Sequence, residues 1–194
     1  MAKRFGKQYR IGEIGAGLLD GYFSKLYRLT PATLAEEENG IDRVAFRPDG
    51  RQVCLEYKTD ILADKSGNAF IEVVAYDGER GQREGWAYTS RADMIVYFLP
   101  FSNRLLLIRP ARLRFKLPAW EARYRREKVQ NQGRTEWVTV GLLIPLEVLL
   151  IEKVAVLIDF RSSDHDYCKH VVRVARECLF QDADLYRNPP RRRP

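Results

Sequence analysis

The stretch GIDRVAFRPDGRQVCLEYKT, residues 40–59, decides how the rest of the chain is read. Two strand-like runs, 41–47 and 51–59, flank Pro48, Asp49 and Gly50. Proline sets φ at the first corner of a type I turn, and glycine supplies the left-handed closing residue, so this triplet predicts a hairpin. With a three-residue loop, Arg47 pairs with Arg51 and Asp42 falls opposite Glu56. Alternation along the second strand puts Val53, Leu55 and Tyr57 on one face and Cys54, Glu56 and Lys58 on the other. Two acids and a lysine are therefore expected to converge on one sheet face.

A cross-strand salt bridge has no use for the second acid, because like charges directly opposed destabilise a sheet. Metal-assisted phosphodiester hydrolysis does have a use for it. Two carboxylates hold a hard cation such as Mg²⁺ (or Mn²⁺), which keeps several of its waters. The ion lowers the pKa of one water and neutralises charge building on the phosphorane oxygens. A lysine beside it orients or deprotonates the attacking water. Glu72, on a third strand over 69–76, either adds to the metal shell or pairs with a basic neighbour. Asp60 keeps the parity of Lys58 and is either its partner or a strand terminus.

Gly40-Ile41-Asp42, followed after thirteen residues by Glu56-Tyr57-Lys58, resembles the PD-(D/E)xK nuclease signature, with Ile41 in place of the proline. That resemblance implies a restriction-endonuclease-like α/β fold, a mixed sheet flanked by helices, with an N-terminal helix ahead of the hairpin. It implies a DNA endonuclease of restriction, repair or resolvase type, in which Asp42 and Glu56 bind the metal and Lys58 serves the nucleophilic water. Glu13 matches the place where many members keep an auxiliary acid, and Asp20 is its rival. A further resemblance, reaching to about residue 146, is to small phage and bacterial nuclease-like proteins. Lys65-Ser-Gly-Asn68, Phe70-Ile-Glu72, Gly85-Trp86, Ser90-Arg-Ala-Asp93 and Ile95-Val-Tyr97 carry it. It implies position and importance, not substrate.

The 194 residues suit one domain over 1–187 with a flexible basic tail over 188–194. Helices are expected over 11–29 (stopped by Thr30 and Pro31), 118–130, 145–151 and 164–180, with a capped turn over 90–93. Further strands are expected over 94–99, 105–108, 136–144 and 154–159. The net charge is +7, unevenly spread: residues 33–93 hold eight basic and thirteen acidic side chains, residues 104–134 ten and two. A merely soluble surface does not need that imbalance, so Arg112, Arg114, Arg123, Arg125, Arg126 and Lys128 are the expected phosphate contacts. Helical spacing puts Arg123 and Arg126 on one face, and makes Trp120 and Tyr124 core anchors. The competing class is a non-catalytic nucleic-acid-binding module of the same fold. DNA versus RNA, and monomer versus homodimer, stay open.

Several other classes find no footing. No apolar run is long enough for a membrane span, and no signal peptide is visible, so a cytoplasmic protein is expected. Cys54, Cys168 and Cys178 are too few for a disulfide framework. Gly12, Gly15 and Gly17 lack the Lys-Ser/Thr of a phosphate loop and read as close-packing residues. His165, Cys168, His170 and Cys178 match no closed zinc site, and no Gly-x-Ser-x-Gly elbow exists.

Overall fold

In the computed structural model, which describes residues 7–77, 81–131 and 137–159, the chain opens with α1 (Lys7–Phe23), β1 (Arg28–Pro31) and α2 (Leu34–Glu37). The hairpin follows as β2 (Arg43–Phe46) and β3 (Gln52–Thr59), then α3 (Ala63–Ser66), β4 (Asn68–Asp77), β5 (Gly81–Glu84) and α4 (Trp86–Thr89). Next come β6 (Met94–Leu99), β7 (Arg104–Ile108), α5 (Pro110–Arg123) and β8 (Arg126–Asn131). β9 (Trp137–Pro145), α6 (Leu146–Ile151) and β10 (Ala155–Asp159) are the last elements among the described residues. This is a mixed α/β architecture with two sheets, ordered β1-β2-β3-β6-β7-β10 and β5-β4-β9-β8.

Gly50 closes the hairpin at φ +82°, and the Arg47 N–H donates to the Arg51 carbonyl at 2.9 Å. The register that follows, Arg43 with Leu55 and Val44 with Cys54, is the one the turn residues require. β3 then pairs in parallel with β6, Glu56 beside Ile95 and Lys58 beside Tyr97. β6 reads MIVYFL without a polar break because both of its faces are covered. Val96 and Phe98 pack with Leu18, Leu19 and Phe23 of α1, whereas Ile95, Tyr97 and Leu99 pack with Ile71, Leu142 and Ile144 of the second sheet. Gly15 is what lets α1 approach: a Cβ there would lie 2.0 Å from the Thr59 hydroxyl oxygen. Gly12 and Gly17 have open space around them, so only one of the three glycines is a packing residue.

Several sequence expectations need correction. One mixed sheet was expected, and the described residues form two. The first helix ends at Phe23, not Leu29, and Arg28–Pro31 forms an edge strand, where a proline without an N–H is tolerated. The helix expected over 118–130 instead runs from Pro110 to Arg123. Pro110 suits a first helical turn, and Leu113, Leu117 and Trp120 make one buried stripe. Beyond it, Arg126–Asn131 pairs with β9, so Arg123 and Arg126 share no helical face. Residues 90–93 form no helical turn; α4 precedes them. The helix expected over 164–180, the His165, Cys168, His170 and Cys178 group and the tail over 188–194 lie outside the described residues. Among the described residues, no helix is long and apolar enough to cross a membrane.

Candidate functional site

β3 divides its side chains between two environments. Leu55 and Tyr57 are buried against α1, with the Tyr57 ring stacked on Phe23 at 6.3 Å. Glu56 and Lys58 face the other way, toward the second sheet, and Glu56 is only 2% exposed. Lys58 Nζ lies 2.6 Å from Glu56 Oε1 and 5.7 Å from the centre of the Trp86 ring. The other carboxylate oxygen, Glu56 Oε2, is buried with no hydrogen-bond donor among the described residues. Leaving a buried acceptor unsatisfied costs about 1–3 kcal/mol, more when it is charged, so this oxygen is poised for a cation or a donor. Gly40 makes room for it. It adopts φ +71°, and a Cβ there would stand 3.3 Å from both Glu56 Oε2 and Ser90 Cα.

Asp42 arrives by a different route from the one its register suggests. The ladder ends at Arg43 with Leu55, and the Asp42 N–H donates to the Leu55 carbonyl at 2.8 Å. Its Oδ2 accepts the Tyr57 N–H at 2.5 Å. The carboxylate thus caps the edge of β3 where β2 has run out, at the peptide between Glu56 and Tyr57, instead of standing squarely across from Glu56.

Glu72 of β4 comes to the same place from the second sheet. Burial raises its carboxyl pKa, the Lys58 ammonium and the Trp86 N–H pull it back, and the Glu56 charge adds to the rise. Gly85 permits this: a Cβ there would lie 2.4 Å from the Glu72 carbonyl oxygen, so α4 starts hard against β4 and aims the Trp86 N–H at the Glu72 carboxylate. Of the two readings of Glu72, its surroundings supply the basic neighbour.

The remaining acids are placed elsewhere. Glu13 is exposed on α1, which covers the Leu55–Tyr57 face and not the Glu56 face. Asp20 is held by Arg43 at 2.7 Å. Asp60 ends the strand: its Oδ1 takes the Leu62 and Ala63 N–H groups, and its Oδ2 accepts a short hydrogen bond from the Tyr97 hydroxyl. Among the described residues no group of three or more His, Cys, Asp or Glu is arranged to hold a metal ion. Of the expected shell of Asp42, Glu56, Glu72 and Glu13, Glu13 stands on the helix that covers the opposite face of β3 from Glu56. Glu56 offers the unsatisfied oxygen and Asp42 accepts the next N–H along the edge of β3, and Mg²⁺ sites of one or two carboxylates completed by substrate phosphate are common.

The basic stretch is largely engaged with its own protein. Arg125 meets Glu127 at 2.6 Å and Arg126 meets Glu121 at 2.9 Å, while Arg123 lies over the Tyr124 ring. Arg112 donates to the Lys153 carbonyl, and Lys128 lies in β8, opposite Val140 of β9. Trp120 is buried, as an anchor should be. Arg114 alone of the six reaches toward the candidate centre, donating at 3.0 Å to the carbonyl of Ser90, the residue packed against Gly40 beside Glu56. Sequence reasoning missed that link and the Trp86 contact with Lys58. The only signal for them was the likeness of Gly85-Trp86 and of Ser90 to Asp93, which carried position without role. Comparison with family models, curated proteins and solved structures finds no match to this chain.

Proposed function

We propose that this protein is a metal-dependent phosphodiesterase acting on nucleic acid, a DNA endonuclease of the PD-(D/E)xK type on a restriction-endonuclease-like fold. The observation that carries the reading is Glu56: buried, bonded through one oxygen to Lys58, with its second oxygen unsatisfied. The order of a helix, then a hairpin presenting Asp42 and Glu56-Tyr57-Lys58, supports the same class. Asp42 and Glu56 are the residues that would hold Mg²⁺ or Mn²⁺. When bound, the ion supplies a water of lowered pKa and offsets charge on the phosphoryl oxygens. Lys58, held by Glu56 beside the Trp86 face on a side chain that stays partly exposed, orients the attacking water. Glu72, whose carboxyl feels the Lys58 charge, adds negative charge on the β4 side of that ammonium. Arg114 puts positive charge near the wall of the site, where a phosphate backbone would approach.

The test is cleavage of supercoiled plasmid with Mg²⁺ or Mn²⁺, beside a Lys58→Ala control. Metal-dependent cleavage that falls roughly a hundredfold or more in the variant is expected for loss of a positioned acid–base group. Nicking that is equal in both proteins contradicts the reading and leaves the binding-module class in its place.

A further inference from the structure

A groove of about 750 Å³ opens between the α1–β1 turn and the β2–β3 hairpin, some distance from Glu56. Lys25, Tyr27, Arg28, Phe46, Arg47 and Gln52 are among its walls, and no acidic residue lines it. Register places it relative to the candidate centre. Arg28 pairs with Phe46, Thr30 with Val44, and Val44 with Cys54, so Arg28, Phe46 and Cys54 share a sheet face with Glu56 and Lys58. From Gln52 to Glu56 is four residues of β3, about 13 Å at ~3.3 Å per residue. The small apolar cluster of Ile41, Val44 and Ala92 fills the space between.

The charges in the groove are unlike those of the stretch 104–134. The Arg28 guanidinium lies 4.0 Å over the Phe46 ring, and no carboxylate among the described residues pairs with it. Stacking fixes the guanidinium plane and leaves its N–H edges for a bidentate oxyanion. Arg47 is only loosely joined to Asp49, at 3.8 Å, because Arg51 holds that carboxylate at 3.0 Å. Arg28 of β1 and Arg47, in the loop just past β2, therefore bring net positive charge to one concave surface. Phosphates of one duplex strand rise about 3.4 Å each, so the groove lies roughly four base steps from Glu56.

We propose that this groove is a backbone-phosphate clamp for the nucleic acid whose scissile bond lies at Glu56 and Lys58, with Arg28 and Arg47 as its phosphate ligands. The clamp rests on the nucleic-acid reading of that centre, but its test uses binding, not cleavage. Anisotropy of a labelled DNA duplex is measured with the full chain in EDTA across a salt series. Arg28→Ala/Arg47→Ala should lower the log–log salt slope by nearly two, at about 0.9 per lost phosphate contact. Lys116→Ala, which removes a cation paired with Glu152 away from the groove, should leave the slope unchanged. Arg47→Glu alone, on an exposed hairpin arm that carries no core packing, should weaken binding at low salt, which separates a lost ligand from a misfolded variant. An unchanged slope in the double variant, or no DNA binding by the wild-type chain, overturns the clamp. If the double variant loses slope while Lys58→Ala still cleaves plasmid like wild type, the clamp stands and the phosphodiesterase reading falls.

Discussion

Residues 40–59 and residues 104–134 are both rich in charge, and the fold treats them in opposite ways. The basic stretch has the greater imbalance, yet it spends much of its charge on its own partners: Arg125 on Glu127, Arg126 on Glu121, Lys116 on Glu152. Such exposed pairs contribute about 0–1 kcal/mol each. The hairpin carries fewer charges, but it buries Glu56 and leaves one oxygen of it without a donor. Both regions hold buried polar atoms without a partner among the described residues, Arg104 Nε and Tyr124 OH in the first and Glu56 Oε2 in the second. Only in the second is that atom part of a buried carboxylate.

The largest effect should fall on the scaffold of the basic stretch, not on its charges. Trp120→Ala removes a ring that is 2% exposed and packs edge-on to Tyr124, and should cost about 3–5 kcal/mol in denaturant unfolding. A loss below ~1 kcal/mol, the size expected of a surface change, would mean that α5 is not held by its apolar stripe. Next in size, Glu56→Gln and Lys58→Ala should each reduce phosphodiester cleavage roughly a hundredfold or more. A change of a few-fold only would place this pair with the surface ion pairs of the other region.

The third effect is one of pH. Burial leaves the Glu72 carboxyl with a raised pKa in the folded protein. Above the ordinary carboxylate range the folded state therefore holds more protons than the unfolded one, and stability falls as pH rises toward the raised value. Glu72→Gln should flatten the melting temperature against pH in that window, and an unaltered profile would show that Glu72 is not the group responsible. The smallest effect should come from Arg123→Ala/Arg126→Ala. If these side chains serve Tyr124 and Glu121, the salt slope of DNA binding changes by less than about one. A drop near two would return this stretch to the phosphate-binding surface expected from its composition.

The hairpin was legible because its signals are local. Pro48 and Gly50 set the loop length, the loop length sets the register, and alternation then assigns each face. Met94–Leu99 was legible to the residue because burial on both faces leaves an unbroken apolar run. Arg126–Asn131 was not, since REKVQN has no alternation of its own and becomes a strand only by pairing with β9. Arg28–Pro31 was hidden by a proline that reads as a stop but sits at an edge. The meeting of Lys58 with Glu72 and Trp86 joins two sheets across the fold, and no period along the chain records it. Asp42 shows the limit of register itself: the ladder ends at Arg43, and the turn of the Asp42 carboxylate onto the Tyr57 N–H was not legible.

Calorimetric titration of Mn²⁺ into the wild-type chain and into Glu56→Gln addresses the buried carboxylate most directly. Saturable binding by the wild type that disappears in Glu56→Gln is expected if the unsatisfied oxygen is the seat of the ion. Equal binding by both proteins, or none by the wild type, would contradict it.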